Sequence, residues 1–166
     1  MVATLVSMDR EARIWHWLSE VPDPEIPVVS VVELGMVRGV NMVGDAIEVE
    51  VAPTYSGCPA TEVIEDSIVG KLREEGVEDV TVKRVLSPPW TTDWISESGR
   101  EKLRAFGIAP PVGTSDMREL LGKPAIRCPR CGTAATTLVS EFGSTACKAS
   151  YKCDDCLEPF EYFKCI

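Results

Sequence analysis

The sequence contains a single histidine, His16. Histidine is the side chain that most often activates a nucleophilic cysteine, and it is also a frequent metal ligand. His16 lies between two tryptophans of a predicted helix and has no second histidine near it. This scarcity argues against a Cys-His hydrolase, and we interpret His16 as a structural or surface side chain.

Long apolar runs are also missing. No stretch approaches the length that a membrane-spanning helix needs. The first residues have too short an apolar segment, and no basic flank, to form a signal peptide. We therefore expect a cytoplasmic protein with no membrane partner. In that reducing compartment clustered cysteines bind metals more often than they form disulfides.

Positive charge is scarce, since 17 Lys and Arg face 26 Asp and Glu and give a net charge of −9. Residues 1–90 hold 16 acidic and 7 basic side chains, which accounts for the whole imbalance. Residues 91–127 hold 6 basic and 5 acidic side chains, and residues 128–166 hold 4 and 5. A chain with this charge repels a phosphate backbone, so we expect no nucleic-acid partner.

Cysteine is concentrated at the end of the chain, where the last forty residues hold six of the seven. Four of them form two Cys-x-x-Cys pairs, Cys128/Cys131 and Cys153/Cys156, with 21 residues between the pairs. Two such pairs supply the four thiolates of a closed, tetrahedral structural zinc site. Cys147 or Cys165 could replace a member of this set, and an iron–sulfur cluster also takes four thiolates. Each Cys-x-x-Cys pair forms a tight turn, here called a knuckle, and two such knuckles favour zinc over an iron–sulfur cluster.

The order of predicted elements indicates an α+β protein with two domains. A small α/β domain over residues 9–107 contains a helix, a hairpin, a second helix and a strand, followed by a further helix. A linker over residues 108–126, rich in proline and glycine, leads to a β-rich zinc ribbon over residues 127–166. Within the first domain the predicted elements are a helix at 9–21, a short helix that begins at the Ser30–Glu33 capping box and is closed by Gly35, a hairpin at 36–42 and 46–51, a helix at 59–75, a strand at 77–86 and a helix at 95–106.

Cys58 is the only cysteine in residues 1–127. It precedes Pro59, and proline favours the first position of a helix, so Cys58 is expected at the N-cap of the second helix. The positive end of the helix dipole would favour its thiolate there. Nearby Thr54 offers a hydroxyl, and Asp23 and Glu25 sit in a proline-stiffened loop as candidate carboxylates. The alternative interpretations are a small buried cysteine at position 58 and turn-forming roles for the two acids.

Several segments of the sequence resemble those of known protein families. Asp23-Pro-Glu-Ile-Pro27, Val31-Val-Glu-Leu-Gly35 and Pro53-Thr-Tyr-Ser-Gly-Cys58-Pro59 resemble the iron–sulfur cluster assembly domain of SufT-type proteins. Over nearly its full length the chain is similar to the PaaD family of phenylacetate catabolism. That similarity is carried by Pro89-Trp-Thr-Thr-Asp-Trp-Ile95, Phe142-Gly-Ser-Thr-Ala-Cys147 and the segment from Glu158 to Ile166.

The resemblance implies an accessory component of the ring-1,2-phenylacetyl-CoA epoxidase, a multicomponent di-iron oxygenase. Such a component matures metal or iron–sulfur centres of the oxygenase and iron–sulfur reductase subunits and is not expected to catalyse epoxidation alone. The family's assembly cysteine corresponds to Cys58 and its acidic loop residue to Asp23. Its metal ligands correspond to Cys128, Cys131, Cys153 and Cys156.

A transient iron or iron–sulfur cluster at Cys58 would need further ligands, because one thiolate cannot saturate it. A homodimer or an external thiol would have to supply them. The alternative function is an electron-transfer protein of the same oxygenase system, with a redox-active iron–sulfur cluster in the tail.

Overall fold

A computed structural model describes residues 9–55, 57–112 and 125–164 of the chain. The chain divides into two compact units between Trp90 and Thr91. We expected the first domain to extend to residue 107. Helix α3 (Glu97–Phe106) instead contacts the short strand β4 (Ile108–Ala109), which pairs with the last strand of the second unit. The helix therefore folds with the second unit.

The first unit consists of a three-stranded sheet and two helices. Helix α1 (Arg10–Leu18) begins after Asp9, whose carboxylate accepts the N–H of Ala12 at 2.7 Å. Strands β1 (Val37–Val43) and β2 (Ala46–Val51) form an antiparallel hairpin. Helix α2 (Thr61–Glu74) then leads to β3 (Val80–Arg84), which pairs with β2 in parallel. The sheet order is β1-β2-β3.

The core of the first unit follows the apolar pattern of its elements. Alternate residues of β2 are fully buried, as are the residues on one face of α2. Helix α1 buries its own apolar stripe and contacts α2. Since strands alternate sides and helices repeat every 3.6 residues, these patterns set which face meets the core. The buried residues are Ile14, Leu18, Ile47, Val49, Val51, Ile64, Ile68 and Leu72.

Residues 30–35 form a turn, although the sequence has a capping box and predicts a short helix there. The capping hydrogen bonds do form, with the N–H of Glu33 donating to Ser30 Oγ at 3.1 Å and the N–H of Ser30 donating to the Glu33 carboxylate at 3.0 Å. Gly35 then adopts a positive φ of 68°. The N–H of Met36 returns to the carbonyl of Val31, so the chain turns away before a helix can extend.

The second unit is a four-stranded sheet with the order β4-β7-β6-β5, accompanied by α3. Its three longer strands are β5 (Thr136–Ser140), β6 (Lys148–Cys153) and β7 (Pro159–Phe163), all antiparallel neighbours. A short 3-10 helix, Thr92–Trp94, precedes α3. The expected α+β class, with a β-rich ribbon after an α/β unit, is confirmed. None of the helices in the described ranges is long and apolar enough to cross a membrane.

Candidate functional site

Four cysteine sulfurs converge in the second unit. The Sγ atoms of Cys128, Cys131, Cys153 and Cys156 all lie within 4.8 Å of one another. The Cys128–Cys156 separation is 3.8 Å and the Cys131–Cys153 separation is 3.5 Å. A tetrahedral zinc ion with Zn–S bonds of about 2.3 Å places its sulfurs about 3.8 Å apart. The cluster therefore fits one tetrahedral ion, whereas in a four-iron cluster each thiolate binds a different iron.

The two knuckles that carry these cysteines share one backbone feature. The residue after the second cysteine of each pair has a positive φ, 78° at Gly132 and 63° at Leu157. In the first knuckle the N–H of Gly132 donates to the carbonyl of Cys128 at 2.9 Å. In the second the N–H of Cys156 points at the sulfur of Cys153 at 3.4 Å. The left-handed residue lets the chain turn tightly enough for both thiols to face one point.

The thiols of the four-sulfur group differ in acidity. Burial opposes the charge on Cys153, but N–H groups of Cys156 and Asp155 outweigh it and lower the pKa of that thiol to about 7. Cys156 accepts an N–H from Glu158, which lowers its pKa, but its contacts with the sulfurs of the neighbouring cysteines, Cys153 first, raise the pKa to about 12. Metal ligands must be deprotonated, so binding of the ion releases protons from this site.

The alternate ligands considered from the sequence lie outside this cluster or outside the described residues. Cys147 is buried, and its sulfur lies 3.0 Å from Thr145 Oγ1. It is not a member of the four-sulfur group. Cys165 falls outside the described residues.

Cys58 occupies the loop between β2 and α2 and is partly exposed. The expected helix start at Pro59 is two residues too early, because α2 begins at Thr61 with Ala60 as its N-cap and no side-chain capping hydrogen bond. The carbonyl of Cys58 accepts both the N–H of Thr61 at 3.2 Å and its hydroxyl at 2.9 Å. These bonds close a turn ahead of the helix. The thiol itself therefore does not cap α2.

The Cys58 loop leaves the carboxyl end of β2, and Thr54 belongs to the same connection. Because β2 and β3 are parallel and joined through α2, this end of the sheet is where α/β proteins commonly place their sites. Thr54 is almost fully buried. The loop therefore places a partly exposed thiol at the carboxyl end of β2, in the same connection as the buried Thr54.

The loop that carries Asp23 reaches the same edge through main-chain hydrogen bonds. Ala52, just beyond β2, donates its N–H to Met36, Met36 donates to Val31, and Val31 donates to Val21. Asp23, two residues further on, is buried. One of its carboxylate oxygens accepts the N–H groups of Glu25 at 2.9 Å and Ile26 at 2.7 Å. Asp23 therefore holds its own loop in shape, and that loop is linked by main-chain hydrogen bonds to the residue that follows β2.

A group of arginines that the sequence pattern did not predict surrounds one cleft of the second unit. Arg100 and Arg104 come from α3, and Arg127 and Arg130 come from the first knuckle. The signal that could have found three of them, Arg100, Arg104 and Arg127, is the small excess of basic side chains in residues 91–127. Their convergence depends on tertiary structure and cannot be read from spacing.

Comparison with known proteins matches both units. Residues 113–164 fit the family model described as the PaaD zinc beta ribbon domain. Residues 11–85 fit the model described as iron-sulfur cluster assembly protein. A crystal structure of a domain of unknown function, DUF59, from Bacillus anthracis superposes with a TM-score of 0.52 at 27% identity, covering 56% of this chain and 90% of that one.

Two curated relatives extend the comparison. Fe-S protein maturation auxiliary factor YitW of Bacillus subtilis (strain 168) is 37% identical over 81 residues, which are 48% of this chain and 78% of that protein. A putative 1,2-phenylacetyl-CoA epoxidase subunit of Escherichia coli (strain K12) is 53% identical over 153 residues, 92% of each chain. With this identity over nearly the full length of both proteins, the chain belongs to the PaaD family.

Proposed function

We propose that this protein is an accessory component of a 1,2-phenylacetyl-CoA epoxidase system and helps to install an iron or iron–sulfur centre in a partner subunit. The name of the Escherichia coli relative supports the epoxidase system. The similarity of the first unit to iron–sulfur maturation factors of Bacillus subtilis and Staphylococcus aureus supports the maturation role. The protein would act on the oxygenase or on its iron–sulfur reductase and would not catalyse epoxidation itself.

The observation that carries this proposal is the position of Cys58. It is partly exposed, in the loop that leaves the carboxyl end of β2, and main-chain hydrogen bonds link the residue after β2 to the segment that precedes Asp23. A thiolate there can accept iron as cargo and release it, since one protein ligand holds a metal less tightly than a closed four-thiolate site. The remaining ligands would come from a second copy, an external thiol or the client.

The four ribbon cysteines have a different role in this proposal. Two of them, Cys128 and Cys153, belong to the small core of the ribbon together with Ile126, Phe160 and Tyr162. A segment with so few core residues seldom folds without a staple, and a zinc ion bound by four thiolates provides one. The zinc is therefore structural, and the chemistry is assigned to Cys58.

Replacement of Cys58 tests the proposal. In cells whose own copy is deleted, we expect Cys58→Ser to abolish growth on phenylacetate and to lower the iron content of the isolated epoxidase components. Cys147→Ser is the matched control, because Cys147 is a buried thiol outside the four-sulfur group. Thermal unfolding of both purified variants excludes a folding defect. If Cys58→Ser cells yield fully iron-loaded partner subunits, the assigned role of Cys58 is wrong.

A further inference from the structure

A cleft of about 800 Å³ lies within the second unit and is formed by three segments. They are helix α3, the extended stretch Ala109–Val112 and the first knuckle, Arg127–Gly132. This volume is within the range of binding pockets, about 300–1,000 Å³. The role proposed for Cys58 does not use this cleft, because Cys58 belongs to the first unit.

The charge of the cleft is opposite to that of the chain. Its lining carries Arg100, Arg104, Arg127 and Arg130 against one acid, Glu97, within a protein of net charge −9. Among the described residues, the guanidinium groups of Arg104 and Arg130 make no ion pair or hydrogen bond. Arg100 and Arg104 are also four residues apart on one helix, a spacing at which like charges destabilise the helix. An anion in the cleft would remove this repulsion.

The other two arginines are held in place by main-chain carbonyls. Arg100 donates to the carbonyls of Pro111 at 2.6 Å and Thr92 at 2.7 Å. Arg127 donates to the carbonyl of Gly132 at 3.0 Å. Each of these carbonyl bonds uses only part of the five N–H donors of a guanidinium. The cleft therefore holds two fixed and two unpaired cations, an arrangement that lowers the entropy lost on binding an anion.

Neutralisation of the metal site does not account for all four arginines. Four thiolates around one zinc dication leave a charge of about −2. Arg127 directly precedes the first cysteine pair and Arg130 lies between its two cysteines, so their two positive charges suffice to balance it. The α3 pair, Arg100 and Arg104, remains in excess.

We propose that this cleft docks an acidic polypeptide segment of a partner protein. Arg100 and Arg104 are separated by one helical turn, about 6 Å along the axis. Carboxylates two residues apart in an extended peptide are separated by about 6.6 Å and point to the same side. An extended segment with Asp or Glu at alternate positions therefore matches the α3 pair, while Arg127 and Arg130 reach further carboxylates.

The lining of the cleft and the charge of the protein favour a peptide over a compact phosphate. The four arginines come from two separate segments, α3 and the first knuckle, and an extended peptide can contact both segments. Pro110, Pro111 and Val112 line the cleft between them and offer apolar contact to a polypeptide. Residues 1–90, with 16 acids against 7 bases, repel an acidic partner elsewhere, which directs it to this cleft.

Binding of a labelled peptide to the zinc-loaded full-length protein tests the proposal. The probe is a fluorescein-labelled ten-residue peptide with Glu at alternate positions and Ser between them, and its partner probe has Gln in place of Glu. By fluorescence anisotropy at low salt, we expect the Glu peptide to bind and the Gln peptide not to bind. The Arg104→Gln/Arg130→Gln double variant should weaken binding about tenfold, the loss of two exposed charge pairs.

A matched control removes the same charge outside the cleft. Lys102→Gln/Lys152→Gln takes one cation from α3 and one from the ribbon, and neither residue lines the cleft. We expect this variant to change the affinity less than about twofold. Zinc content is measured for every variant. If the Arg130→Gln substitution causes loss of zinc, the single variant Arg104→Gln is compared with wild type instead, because Arg104 lies outside the knuckle.

Three results would overturn the proposal. Equal binding of the Glu and Gln peptides would show that charge does not drive the contact. Equal weakening by the two double variants would show a general charge effect without a defined site. Tighter binding of inorganic pyrophosphate than of the Glu peptide, lost in Arg104→Gln, would make the cleft a phosphate site. Cys58→Ser should leave peptide binding unchanged, so this proposal stands or falls separately from the iron role.

Discussion

At the scale of single residues, the two knuckles depend on backbone conformations that most side chains avoid. Gly132 and Leu157 occupy equivalent places, each directly after the second cysteine of its pair, and both have positive φ. Glycine adopts this conformation without steric cost, whereas a residue with a Cβ is destabilised there by about 1–2 kcal/mol. The first knuckle is therefore relaxed, and the second is strained at Leu157, whose side chain is exposed.

This difference predicts opposite effects of two substitutions on zinc binding. Gly132→Ala should weaken zinc binding about five- to thirtyfold, since about 1–2 kcal/mol of strain enters a ribbon whose folding is coupled to the metal. No neighbouring atom lies within 4 Å of the added Cβ, so strain is the only penalty. Leu157→Asn should strengthen binding, because asparagine tolerates the left-handed region. Competition with a chromogenic chelator measures both.

Gly44→Ala is the control for this pair. Gly44 also has a positive φ, 64°, with open space around it, but it forms the hairpin turn of the first unit. It should lower the stability of that unit and leave zinc affinity unchanged. Zinc binding by Gly132→Ala at the wild-type affinity would contradict the strain argument.

At the scale of elements, Glu161 of β7 connects three parts of the ribbon sheet. Its carboxylate pairs with the buried Lys148 of β6 at 2.8 Å and accepts the N–H of Ser144 at 2.6 Å. A Cβ on Gly143 would lie 2.6 Å from the same carboxylate. Burial raises the pKa of Glu161, but Lys148 and Ser144 outweigh it and hold the pKa below its ordinary value of 4.5. The loop before β6 is therefore tied to the sheet by one ionised group.

The lowered pKa of Glu161 gives a defined pH dependence. A depressed carboxyl pKa stabilises the fold above the ordinary value of 4.5, and the stabilisation disappears as pH falls through the lower value in the folded protein. Glu161→Gln should destabilise the ribbon by about 1–3 kcal/mol at pH 7, since it leaves the buried Lys148 without a counter-charge. The difference between wild type and variant should shrink below pH 4.5.

The measurement compares amide hydrogen exchange of β6 and β7 in wild type and Glu161→Gln at matched pH. Zinc content is measured at each pH, and the two proteins are compared only where both retain the metal, because the ribbon depends on it for folding. Glu141→Gln is the control, because Glu141 is an exposed acid beside the same sheet. A difference that stays constant from pH 7 to below the ordinary glutamate pKa of 4.5 would show that Glu161 does not carry the stabilisation.

The elements differ in how well the sequence predicts them. Helix α1 and helix α3 begin where Asp9 and Ser96 cap them, and α3 ends at Gly107, so local chemistry sets these bounds. Strand β2 of the hairpin follows the alternation of its sequence, with Ile47, Val49 and Val51 buried. The short helix predicted at 30–35 is wrong because a local turn ends it at once: Gly35 has a positive φ, and the N–H of Met36 bonds the carbonyl of Val31, only five residues earlier. The predicted capping role of Cys58 is wrong because its carbonyl closes a turn with Thr61 before α2 begins.

The candidate sites also differ in how far local sequence patterns predict them. The two Cys-x-x-Cys pairs predict four thiols around one point, since each spacer forms a local knuckle and only the docking of one pair on the other is tertiary. The arginine cleft combines α3 with the first knuckle, two segments more than twenty residues apart. No local pattern brings them together, and so the sequence predicts neither the cleft nor the membership of α3 in the second unit.

At the scale of the whole molecule, the two units differ in what stabilises them. The first unit buries many apolar residues from its sheet and both helices, and none of the four clustered cysteines belongs to it. The core cluster of the ribbon has six buried members, and two of them, Cys128 and Cys153, belong to the four-sulfur group. If zinc joins these four sulfurs as proposed, its removal takes away a contact of the ribbon core and leaves the first core intact.

Chelation should accordingly separate the two units in a thermal experiment. We expect the zinc-loaded, anaerobically purified protein to be colourless, with one equivalent of zinc, and to lose the transition of the ribbon on treatment with a strong chelator. The first unit should keep its melting temperature within about 2 °C, because a shift of that size corresponds to well under 1 kcal/mol for a domain of this length. Scanning calorimetry with parallel metal analysis measures both effects, and restored zinc should restore the ribbon transition. A brown protein with stoichiometric iron and sulfide in the tail would favour the electron-transfer function instead, and simultaneous loss of both transitions would show that the metal stabilises the whole chain.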